Sequence, residues 1–135
     1  MVQGRNKLKF IILYVLSMSA VHASAVDTLQ DEYRAEGAGP FSAVVGEKRW
    51  LEKHKDADTG QDRNCQSCHG KDLTIKGKHP KTGKIIDPLA PSVNNKRLTD
   101  IKFIKKWFKR NCIWALGREC TAQEKGDFLE YLKTQ

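Results

Sequence analysis

Asn64-Cys65-Gln66-Ser67-Cys68-His69-Gly70 decides how the rest of the chain is read, because Cys-x-x-Cys followed directly by His is the attachment signature of a c-type haem. Two intervening residues let one helical turn present both thiols to the porphyrin edge, and the adjacent imidazole then reaches the iron. Other chemistries use two close cysteines, but they need a different context. A structural zinc site needs further Cys or His at ligand spacing, and a thioredoxin-like pair needs a βαβ unit in a reducing compartment. Neither pattern accompanies this motif. The expected cofactor is one haem c, held through Cys65 and Cys68 with His69 as the proximal iron ligand.

Upstream of the motif, residues 1–25 read as a cleaved secretory signal. Arg5, Lys7 and Lys9 make a basic start, Phe10 to Leu16 an apolar stretch too short to span a bilayer comfortably, and small residues follow. Both Val21-His22-Ala23 and Ala23-Ser24-Ala25 fit the cleavage rule, and cutting after Ala25 is the expectation, leaving residues 26–135 as one domain. Export puts the chain in the periplasm, where c-type haem is attached and disulfides persist. A domain this small has a limited core of its own, and a buried haem would complete it. The 24 basic and 16 acidic residues give the chain a formal charge of +8. Removing Arg5, Lys7 and Lys9 with the signal leaves +5, a balance suited to an acidic redox partner or simply to solubility. Nucleic acid is not an expected partner of an exported haem domain.

Downstream of the signal the apolar spacing is helical, and no strand pattern of any length or internal repeat appears. The fold class expected is all-α. Thr28 to Glu36 is predicted as a first helix capped by Thr28 or Asp27, broken by Gly37-Ala38-Gly39-Pro40. A second should run from Ser42 to His54 and present Gly46 and Trp50 together, the Gly allowing another helix to approach closely. Between Lys71 and Asn95, Gly77, Pro80, Gly83, Pro88 and Pro91 forbid long regular elements. Such a loop-rich stretch in a small domain needs something to wrap around. A third helix, capped by Thr99 or Asp100, is predicted to end near Arg110, with Ile101, Ile104 and Phe108 on one face and lysines on the other. Thr121-x-x-Glu124 is a capping box that opens a last helix running to about Thr134, with Gly126 in its interior.

The far side of the iron is the open question. Both methionines, Met1 and Met18, lie in the predicted signal, so the mature chain cannot supply the Met sulfur common in single-haem cytochromes. His54, His79, a lysine, an oxygen or amide donor, or no ligand remain. The two other thiols, Cys112 and Cys120, are expected to pair in an oxidising compartment, stabilising the fold by about 2.5 kcal/mol on the chain-entropy model.

The Cys65 to His69 motif, Lys81-Thr82-Gly83-Lys84, Pro88-Leu89-Ala90-Pro91-Ser92 and, most specifically, Arg110-Asn111-Cys112 with Gly117-Arg118 and Cys120-Thr121 make the chain resemble the sphaeroides haem protein family. These are class I monohaem cytochromes c, and the resemblance covers nearly all of the chain beyond the signal. It implies the class I cytochrome c fold, in which Gly46 and Trp50 on one helix meet Phe128 and Tyr131 on the last. It also implies Asn111 as a redox-dependent sixth ligand beside a Cys112–Cys120 disulfide, and Pro88 as the carbonyl that accepts from the His69 ring.

The function implied by that resemblance is electron transfer joined to binding of O2, NO or CO, with the amide leaving the iron on reduction. The electron donors implied are a dihaem cytochrome c and a membrane b-type cytochrome. Two other readings stay open at this stage: a plain electron carrier closed on both faces by His79 or a lysine, and a small O2 or NO reductase. For the latter no dedicated catalytic acid or base is visible.

Overall fold

The computed structural model describes Met1 and residues 23–135, so most of the predicted signal lies outside the described residues. The described chain is predominantly helical, with five helices of which one carries the haem motif.

Helix α1 runs from Ala25 to Ala35, three residues ahead of the expected start. Its cap is Ser24 rather than Thr28 or Asp27. The Ser24 hydroxyl accepts from the Asp27 N–H at 3.1 Å, and the Asp27 carboxylate accepts from the Ser24 N–H at 3.2 Å. Asp27 therefore serves as the third helical residue of a reciprocal capping box, and Val26, Leu29, Gln30 and Tyr33 form the buried stripe. Helix α2, Ala43–Leu51, is capped by Ser42 and stops short of His54, because Glu52 is extended and the chain turns away. Two strand pairs follow that period-2 reading could not register, since each strand has only two residues. Strands β1 (His54–Lys55) and β2 (Asp62–Arg63) pair antiparallel around a turn in which Asp56 accepts from Thr59 N at 2.8 Å and Thr59 Oγ1 at 2.6 Å. The haem motif forms α3, the single turn Gln66–His69, and β3 (Gly77–Lys78) pairs with β4 (Ile85–Ile86) inside the loop-rich stretch.

Helix α4, Ile101–Leu116, is capped by Asp100 and continues well beyond Arg110. Nothing in Asn111-Cys112-Ile113-Trp114 breaks a helix, and the stop signal is Gly117, in the left-handed region at φ 73°. Asn111 and Cys112 are therefore helical residues, not loop residues. Helix α5, Ala122–Lys133, opens on the Thr121–Glu124 capping box as expected.

The core is organised where α2 crosses α5. Gly46 has no room for a side chain: a Cβ there would overlap the Asp127 carbonyl and lie 2.9 Å from Tyr131 Cβ. This contact lets Trp50 meet Phe128 edge-on at 6.2 Å and Tyr131 at 5.9 Å between ring centroids. Gly126, costly in a helix interior, receives the Phe41 ring where a side chain would stand. Polar pins flank the crossing: Asp127 Oδ1 accepts from Ser42 N at 2.9 Å, and Arg49 lies 3.3 Å from Glu124.

Glu124 also takes two hydrogen bonds from Arg118, both 2.8 Å, which hold its carboxyl down to about 2. Because the folded value lies below the unfolded one, this group stabilises the fold fully above about pH 4.5 and loses its contribution as pH falls through about 2. With Arg118 half exposed, that contribution is about 2 kcal/mol. Glu124→Gln is expected to lower the urea midpoint at about pH 5, with the gap to the parent narrowing at about pH 3. A constant gap would contradict the assignment.

Candidate haem site

Helix α3 gathers Cys65, Cys68 and His69 within one turn. Asn64 fixes where that turn begins: its side-chain oxygen accepts from Ser67 N at 3.1 Å, and its amide donates to the Leu51 carbonyl at the end of α2, also at 3.1 Å. Behind the turn, β3 packs so closely that a Cβ on Gly77 would overlap the Cys68 carbonyl and stand 3.0 Å from His69 Cα. Leu73 is buried beneath the motif, and its carbonyl accepts from Leu89 N and Ala90 N at 2.9 Å each. The loop-rich stretch therefore does wrap the motif.

Both motif thiols are free and half-buried, and Cys65 packs against the cluster that contains Trp50, Ala90 and Cys112. Burial, then the neighbouring Cys68 thiol, pushes Cys65 up to about 12. The His69 ring sits 5.4 Å from the Trp50 ring, tilted by 44°. Burial, followed by the nearby Arg97 charge, lowers its pKa to about 4, so the imidazole is neutral near pH 7, the form that ligates metals. The carbonyl expected to orient it is otherwise engaged. Pro88 O accepts from Arg97 Nε at 2.8 Å and Asn94 Nδ2 at 3.0 Å rather than from His69, because the Arg97 guanidinium lies against that carbonyl.

Across from the motif, Cys112 and Cys120 form the expected disulfide, with Cα atoms 5.6 Å apart. It joins the interior of α4 to the residue before the α5 cap. Asn111 precedes Cys112 on α4, is exposed, and has no side-chain hydrogen-bond partner among the described residues. His79, the histidine considered as an alternative ligand, lies between β3 and β4 with its Nδ1 accepting from Thr82 N at 3.2 Å. His54, the other histidine considered, is in β1 and pairs with Arg63.

The residues present fit a haem. Two thiols and a neutral imidazole are left uncommitted on one turn, and the buried indole N–H groups of Trp50 and Trp114 have no acceptor among the described residues. Among the described residues no group of three His, Cys, Asp or Glu side chains gathers as a closed zinc site would require.

Three contributors carried no local sequence signal. Gly77 reads only as a loop punctuator, and Arg63 and Arg97 read as ordinary surface charges. Arg63 is 13% exposed in its side chain and ion-paired to Asp56, while Arg97 spans to Pro88 and Asp87. Their roles depend on partners that only the folded chain brings near.

Residues 36–132 match a family described as a domain of unknown function, DUF1924. The chain is 39% identical over 103 residues to the cytochrome c-type protein SHP of Cereibacter sphaeroides, covering 76% of this chain and 78% of that protein. It is 33% identical over 138 aligned positions to cytochrome c'' of Methylophilus methylotrophus, covering 96% of each. Among solved structures, oxidized SHP, described as an oxygen-binding cytochrome c, superposes with a TM-score of 0.73 at 37% identity, over 84% of this chain and all of that one. Oxidized cytochrome c'' from Methylophilus methylotrophus superposes with a TM-score of 0.71 at 36% identity, over 82% and 94%. A solution structure of the same cytochrome, described in terms of haem-ligand detachment, gives 0.67 at 36% identity, over 82% and 93%.

Proposed function

Because this chain belongs to the family of c-type cytochromes that includes SHP and cytochrome c'', we propose that it is an exported, periplasmic monohaem cytochrome in which Asn111 occupies the sixth iron position only in the oxidised state. The observation that carries this reading is the placement of Asn111: an unpartnered amide on α4, beside a formed disulfide, in the helix whose Cys112 shares a core cluster with Cys65.

Haem c, when bound, supplies an iron that changes oxidation state and accepts small ligands. Cys65 and Cys68 would hold it covalently, and His69, neutral and packed on Trp50, would provide a nitrogen ligand. Asn111 would offer a neutral amide oxygen, a hard and weak donor suited to ferric rather than ferrous iron. Its release on reduction would open that position to O2, NO or CO. The names of both relatives support this reading, one for oxygen binding and one for ligand detachment. Adding CO to the reduced protein is expected to change its absorption spectrum; an unchanged spectrum would contradict the proposal.

Lys71, Lys76, Lys78, Lys81 and Lys84 are all exposed on the segment that wraps the motif. They form a basic face for the proposed electron donors, a dihaem cytochrome c and a membrane b-type cytochrome. Reduction by such a protein donor is expected to slow as salt rises from about 0.01 to 0.15 M, as the Debye length shrinks. A salt-independent rate would remove this face from the account.

A further inference from the structure

We infer that Arg63 is a positioning residue for Asn111, an assignment that rests on Asn111 being the ferric ligand. Arg63 ends β2, immediately before the haem motif, and reaches the last turns of α4. Its guanidinium carbon stands 4.7 Å from the Trp114 ring centroid, and Nη1 donates to the Trp114 carbonyl at 3.4 Å. The same Nη1 pairs with Asp56, whose side chain is 7% exposed and is itself held by Thr59. Trp114 lies three residues after Asn111, on the next helical turn. The turn carrying the ligand is thus gripped twice: by the Cys112–Cys120 disulfide and by the Arg63–Trp114 stack. A planar guanidinium suits the second grip because it stacks and hydrogen-bonds at once.

Holding that turn reduces the freedom Asn111 loses when it binds, so loosening it weakens the amide only in the state where the amide is bound. Imidazole added to the ferric holoprotein must displace Asn111, whereas CO added to the ferrous holoprotein need not. Arg63→Gln is expected to tighten apparent ferric imidazole binding about tenfold, or about 1.4 kcal/mol. Ferrous CO affinity should stay within about twofold. If Arg63→Gln does not load haem because Asp56 is left buried alone, the same titrations on the double variant D56N/R63Q, which removes both charges, decide the matter. Ferric imidazole affinity unchanged within about twofold, or an equal shift in ferrous CO affinity, would overturn the assignment. So would failure of both variants to load haem, since Arg63 would then serve the fold rather than the ligand. An Asn111→Ala ferric spectrum identical to the parent would overturn the underlying ligation instead.

A separate observation at the N-terminus points to signal cleavage after Ala23, which rests on the export reading. Besides its exchange with Asp27, Ser24 accepts through its carbonyl from Thr28 N and Thr28 Oγ1, both at 3.0 Å. Cutting after Ala25 would remove this cap and leave the new ammonium on Val26, which is 4% exposed. Cutting after Ala23 frees exposed Ser24 and places its ammonium beside the Asp27 carboxylate. Intact mass of the exported holoprotein is expected to give a chain starting at Ser24. A start at Val26 would overturn the site, and an uncut chain would overturn the export reading as well.

Discussion

Gly46→Ala is expected to destabilise the holoprotein by about 3 kcal/mol or more and to cut its haem-loaded yield sharply. The added methyl would overlap the Asp127 carbonyl and stand 2.7 Å from Asp127 C and 2.9 Å from Tyr131 Cβ. Two of the three obstacles are backbone atoms of α5, so no side-chain rotation relieves the overlap, and the helices must separate. Trp50 would then lose its seat against Phe128 and Tyr131, and with it the surface on which His69 packs. Domains of this size are stable by only about 5–15 kcal/mol, so a loss of this magnitude threatens folding itself. Urea denaturation of the purified variant checks the effect, and a midpoint indistinguishable from the parent would mean the crossing is not as tight as described.

Asn111→Ala is expected to have the largest effect on the site with little effect on the fold. The Asn111 side chain has no protein partner among the described residues and is exposed on α4, and Ala is a better helix former than Asn. Thermal unfolding should therefore shift little. The ferric absorption spectrum should nevertheless change, because the amide is the only proposed sixth donor and its loss leaves that position empty or water-filled. The ferrous spectrum should match the parent, since Asn111 is already off the iron in that state. A low-spin ferric spectrum in the variant would instead assign the sixth position to a strong-field nitrogen donor, His79 or a lysine.

Much of this is legible in the sequence. The haem motif and the Thr121–Glu124 box are local patterns whose residues lie within one helical turn, and Gly46 with Trp50 marked a helix crossing through side-chain size alone. Boundaries failed where a local rule was outranked. Ser24 took the first cap because Asp27 answers it three residues later, and α4 passed Arg110 because nothing before Gly117 stops a helix. The two strand pairs are too short to leave any periodicity. The site's supports were the least legible part. Arg63, Arg97 and Gly77 act on residues distant in sequence or on backbone surfaces, and neither kind of contact has a spacing to read. The Pro88 assignment failed for the same reason, as Arg97 and Asn94 occupy the carbonyl first.

Reduction-gated release of Asn111 is the centre of the account, and resonance Raman spectra of the native holoprotein in its ferric and ferrous forms test it most directly, because the spin-state bands report coordination number. The prediction is six-coordinate ferric iron that becomes five-coordinate and high-spin on reduction. Six-coordinate iron in both states would contradict it.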